Sequence, residues 1–162
     1  MRQRVSRLIV GAVFLLLFIL PSQRAATQLS ALPQSCEDLA FSTEEDFVMQ
    51  GPEPGDGIPI ISDGDLLTIE TDAAGNVTGV LCARNTTLLM EFDVMVDLGL
   101  DAVDVINAEA ALVAFSTELD SPNQGQFTAG DLLVTNGAII LNQALTLPRQ
   151  VAYDVGLDAV HL

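Results

Sequence analysis

Ala114-Phe115-Ser116-Thr117-Glu118 repeats, residue for residue, the earlier stretch Ala40-Phe41-Ser42-Thr43-Glu44. Two more blocks recur in the same order. Gly64-Asp65-Leu66-Leu67 returns as Gly130-Asp131-Leu132-Leu133, and Gly99-Leu100-Asp101-Ala102-Val103 returns as Gly156-Leu157-Asp158-Ala159-Val160. Internal repetition constrains the architecture before any single element is assigned. The spacing between matched blocks shortens down the chain, so the second copy has lost residues in two places. Both losses fall in loop-type sequence: residues 49–59, rich in Gly and Pro, and residues 68–78, around Ala74-Gly75-Asn76. A duplicated unit is the reading.

Each unit reads as short strands. Residues 112–115 and 132–134 are brief apolar runs bounded by turn formers. Asn136-Gly137 separates residues 132–135 from 138–141 as a two-residue hairpin signal. Gly75-Asn76 plays that part in the first copy, ahead of residues 77–82. Residues 94–105 read as a strand turning at Gly99. Residues 108–114 have helical propensity, but their counterpart near Leu39 is short, and the repeat argues for a strand. The expected domain spans 39–162, with unit one at 39–98, unit two at 99–155 and an extra strand at 156–162. The expected fold is all-β: two four-stranded antiparallel sheets packed as a sandwich or flattened barrel. The C-terminal strand is expected beside residues 39–42, closing the first sheet and covering exposed edges. The rival is a fragment of a larger repeat protein, propeller or solenoid, needing further copies for stability.

Arg2, Arg4 and Arg7 precede an apolar run over residues 8–20 that stops at Pro21. This is the layout of a secretory signal, assigned to residues 1–26, with 27–38 as a linker. A permanent span needs about 20 apolar residues, so retention as an uncleaved anchor is the alternative. Small residues at Ala25, Ala26 and Ala31 place cleavage between Ala25 and Ala31. Secretion or cell-surface residence follows, with no membrane contact after cleavage.

The chain has 22 acidic side chains, 6 basic ones and a net charge of -16. Loss of the leader removes Arg2, Arg4, Arg7 and Arg24 and leaves Arg84 and Arg149 against all the acids. Such a surface excludes nucleic acid as a partner and draws divalent cations. The remaining partner class is an extracellular protein or surface component. Cys36 and Cys82 permit one intramolecular disulfide in an oxidising compartment.

Phe41-Ser42-Thr43-Glu44-Glu45-Asp46, the 62–67 stretch Ser-Asp-Gly-Asp-Leu-Leu, Asn85 to Leu89 and the 98–104 stretch Leu-Gly-Leu-Asp-Ala-Val-Asp resemble a repeat of exported bacterial proteins. The similarity covers residues 39–162. The resemblance implies export and a repeated β architecture, and no activity. The second copy departs from it, with Ala129 at the position of Asp63 and His161 at that of Asp104.

Three groups of acids gather at the repeat joints: Asp63 with Asp65; Asp97, Asp101 and Asp104; and Glu44, Glu45 and Asp46. Calcium takes six to eight oxygens, often from carboxylates two residues apart around a glycine. Asp63, Asp65, Asp101 and Asp104 are therefore the candidate calcium ligands. The competing reading makes Asp65 and Asp131 turn caps that accept main-chain N–H bonds. Catalysis has little to work with. The lone His161 stands beside the C-terminus, no nucleophile elbow or phosphate loop occurs, and a serine triad needs an oriented imidazole. A hydrolase using the acid pair Asp101 and Asp104 is the enzymatic alternative to a non-catalytic binding or structural module. Asn76-Val77-Thr78 and Asn85-Thr86-Thr87 fit the glycosylation pattern.

Overall fold

A computed structural model describes residues 29–50, 54–149, 156–157 and 160–161. The leader assigned to 1–26 lies outside these residues. No helix among the described residues is long and apolar enough to cross a membrane.

The fold is mostly strand. A short helix, α1 (Ser35–Asp38), precedes the hairpin β1 (Phe47–Val48) and β2 (Ile60–Ile61). A longer hairpin follows, β3 (Leu66–Thr71) with β4 (Val77–Ala83), then α2 (Asn85–Leu88) and a 3-10 turn at Met90–Phe92. The remaining strands, β5 (Ala102–Asn107), β6 (Leu112–Ser116), β7 (Leu132–Val134) and β8 (Ile139–Ile140), form one antiparallel sheet in that order. Helix α3 (Asn142–Thr146) closes the regular structure, with a 3-10 turn at Leu147–Arg149.

The four-stranded sheet takes in strands expected between residues 99 and 141. Its last hairpin turns at Asn136-Gly137, where Gly137 has φ +87° and Asn136 Oδ1 accepts the Ala138 N–H at 3.1 Å. β6 sits between β5 and β7, and Val113, Ala114, Phe115 and Ser116 are fully buried. A strand buried on both faces reads as a continuous apolar run, which is what residues 112–115 are. Residues 108–111 form a turn, not a helix.

The first half departs from expectation. The sheets have two, two and four strands, not four and four. Residues 39–42 contribute one bridge, Phe41 to Leu67, instead of a strand. β3 and β4 stand as a hairpin whose base is buried and whose tip, from Ile69 to Val77, is exposed. The expected closing strand does not join that sheet: among the described residues, Gly156 and Leu157 bond to the second unit, at Asn142 and Ser116. Residues 94–101 are irregular, and β5 starts only at Ala102, because Asp93 in the left-handed region and Gly99 at φ +71° turn the chain. The stretch expected as a linker is part of the body, with Leu32 and Cys36 in the core.

One apolar core joins the halves. Phe92 packs edge-on against Phe115 and Phe127, with ring centroids at 6.4 and 5.6 Å, a geometry that adds to area burial. Leu88, Leu89, Leu98, Leu100 and Leu133 surround them. Cys36 and Cys82 form a disulfide that ties α1 to β4.

Candidate functional site

The repeated polar residues bond the main chain, and they do so in matched pairs. Asp65 accepts the Ser62 N–H on Oδ2 at 3.1 Å and the Asn85 N–H on Oδ1 at 3.0 Å. Asp131 accepts the Thr128 N–H on Oδ2 at 2.8 Å and the Asn142 N–H on Oδ1 at 2.7 Å. Each aspartate thus holds its own turn and receives the first N–H of the following helix, α2 or α3, where a carboxylate satisfies an orphan donor. Asn85 Nδ2 donates to Gly99 O at 3.1 Å, and Asn142 Nδ2 to Gly156 O at 3.3 Å. Ser42 donates to Leu100 O at 2.8 Å, and Ser116 to Leu157 O at 3.0 Å. Asp46 accepts the Asp63 N–H, and Asp120 the Ala129 N–H. These residues are the mortar of the turns.

Arg84 is the charged node of the first half. Its guanidinium reaches Asp56 at 2.7 Å, Asp65 at 2.6 Å and the carbonyls of Ile58 and Ile60 at 2.6 Å each. The loop before β2 is thereby fastened to the turn that Asp65 closes. Hydrogen bonding from Arg84, then from the Ile58 N–H, lowers the Asp56 carboxyl to about 2. In the second half Leu141 precedes Asn142 where Arg84 precedes Asn85.

A face of carboxylates lies beside this node. Burial, then the charges of Asp97 and Asp46, raise the Asp63 carboxyl above its ordinary value. Glu118 is raised by partial burial and by Asp63, Glu44, Asp101 and Asp97. Asp97 accepts the Ser62 hydroxyl and the Gly99 N–H. Gly64 is packed so tightly that a Cβ there would run into Asp97 and Asn85.

The four candidate calcium ligands separate on this surface. Asp63 faces Asp97 and Asp46, whereas Asp65 is 2% exposed and bonded to Arg84, Ser62 and Asn85. Asp101 is exposed just before β5 and belongs to the surroundings of Glu118. Asp104, on β5, lies 3.7 Å from His161. Among the described residues no three His, Cys, Asp or Glu side chains are grouped so as to hold a metal ion. Asn85 is fully buried, so folding closes its glycosylation pattern to any enzyme. Arg84 and Asn142 escape a reading of the sequence, although Arg84 is one of the few cations and an Asn opens both helices.

An apolar groove of about 310 Å³ runs between β1 and the β3–β4 hairpin, lined by Phe41, Phe47, Val48, Met49, Leu67 and Gly79. Thr43 and Gln50 also line it, and none of the described lining residues is titratable. No protein-family model matches the chain, and no curated protein or solved structure matches it either.

Proposed function

We propose that this chain is an exported, acidic, non-catalytic β module with a binding or structural role outside the cell or at its surface. The observation that carries the reading is the use of the repeated polar residues. Ser42 and Ser116, Asp65 and Asp131, and Asn85 and Asn142 are bonded to backbone groups. Residues spent on scaffolding are not poised to abstract protons or attack substrates. The matched hydrogen bonds also support descent of the two halves from one unit, and the resemblance to exported bacterial repeat proteins fits an N-terminal leader. The disulfide fits an oxidising compartment.

The carboxylates around Asp63 and Glu118 repel one another, and a cation drawn to that face relieves the repulsion as a counterion, without a cage of three ligands among the described residues. Calcium is the cation proposed, because turn carboxylates suit its flexible oxygen shell. Thermal unfolding with calcium, magnesium or chelator at matched ionic strength tests this. Calcium raises the midpoint by several degrees beyond magnesium, and Asp63→Asn removes the difference. Equal midpoints in millimolar calcium and chelator end the calcium reading.

A further inference from the structure

Two stretches of the chain carry the Asn-X-Thr pattern, and the fold treats them in opposite ways. Asn85 is fully buried, and its side chain is bonded to Gly99 O and to the Leu98 N–H. Its counterpart Asn142 makes the matching bond to Gly156 O, yet Ala144 stands where Thr87 stands in the first half. The scaffold needs the asparagine and not the threonine, so the pattern at Asn85 is a by-product of folding.

Asn76 is placed otherwise. It ends the turn between β3 and β4, at the tip of a hairpin where residues 71–79 are all exposed. Thr78 follows on β4, opposite Glu70. The turn is built around Asp72. Its Oδ1 accepts the Ala74 and Asn76 N–H groups at 2.8 and 2.9 Å, and its own N–H donates to Asn76 O at 2.9 Å. Asp72 Oδ2 accepts the side-chain amide of Asn76, Nδ2, at 2.7 Å. An amide nitrogen carries two hydrogens, so one can be exchanged for another group while the other keeps the bond to Asp72.

We propose that Asn76 is an acceptor for an N-linked oligosaccharide, and that the folded chain takes this group at Asn76 and not at Asn85. The co-substrate class is an oligosaccharide joined to a polyprenyl pyrophosphate. Asn76 Nδ2 bonds to the anomeric carbon of the first sugar, and the bond from that carbon to the pyrophosphate oxygen breaks. The pyrophosphate leaves with the electron pair, and Nδ2 gives up one proton to a base of the transferase. Nothing is oxidised or reduced. Thr78 supplies the hydroxyl that the pattern requires two residues after the acceptor. The bulky, solubilising group stands beside Val77, which is 63% exposed. The inference rests on the export reading, because such acceptors lie on surface loops of secreted proteins.

Transfer in vitro tests it. The oxidised full-length protein is incubated with an oligosaccharyltransferase and its lipid-linked donor. Synthetic peptides spanning residues 72–80 and 83–91 show what the enzyme accepts without a fold. Trypsin cuts after Arg84 and so puts the two patterns on different peptides. The expected result is one oligosaccharide mass on the peptide that ends at Arg84 and none on the peptide that begins at Asn85, whereas both synthetic peptides are modified. Thr78→Val keeps Asn76 and its bonds to Asp72 and suits a strand. It is expected to abolish the mass shift and leave the unfolding midpoint unchanged. Absence of the oligosaccharide from Asn76 of the folded protein overturns the proposal, and so does its presence on Asn85. The assay requires no export, so a negative result leaves the export reading standing; a chain that stays inside a secreting cell is what ends that reading.

Discussion

Removing the Arg84 guanidinium leaves Asp65 with a buried charge and only main-chain donors to meet it. Breaking such a pair costs about 3 kcal/mol, because the remaining charge keeps its desolvation penalty. Arg84→Met is therefore expected to lower the stability measured by urea unfolding by about that much, and Arg84→Met with Asp65→Asn to recover part of it. The carboxylates give stability a pH dependence of two signs. Asp56 falls from its ordinary 3.8 to about 2, so its contribution is complete above 3.8 and is lost as acid passes through the folded value. Asp63 and Glu118 are raised instead. Ionised at neutral pH, they oppose folding, and stability rises as the pH falls through their folded values. Stability measured across pH is expected to peak in mild acid, and Glu118→Gln to flatten the slope on the neutral side. The turn role of Asp65 is legible in the sequence because the Gly-Asp-Leu-Leu block recurs. Arg84 is not legible, because the carbonyls of Ile58 and Ile60 reach it from a loop that no local pattern connects to it.

Among the elements, the second sheet is written plainly in its sequence and the first is not. Asn136-Gly137 fixes the turn between β7 and β8, and the unbroken apolar run of β6 fits a strand buried on both faces. Among the described residues, the same block at 39–42 makes one bridge, from Phe41 to Leu67. Residues 94–101 have the apolar content of a strand, but Asp93 and Gly99 have positive φ and break the run. The expected linker folds because Cys36 is bonded to Cys82 and Leu32 donates its N–H to Ala108 O. Closing a loop of that separation stabilises the fold by about 4 kcal/mol in the chain-entropy model. Cys36→Ala with Cys82→Ala is expected to cost about 2–4 kcal/mol in urea unfolding, with α1 losing hydrogen-exchange protection first.

At the scale of the whole molecule, one core spans two halves that repeat one another's hydrogen bonds, in a chain with 22 acidic side chains against 6 basic ones. Repulsion among those acids is screened by salt, so the unfolding midpoint is expected to rise between low and physiological ionic strength. The central claim is that the repeated polar residues are scaffold. Asn85 and Asn142 test it most directly, since each is buried and bridges its own Gly-Leu-Asp block to the rest of its half. Urea unfolding of Asn85→Ala and Asn142→Ala is the measurement. The account predicts that each variant loses about 2 kcal/mol, the cost of leaving buried main-chain groups without partners. Two variants as stable as the parent protein would contradict it.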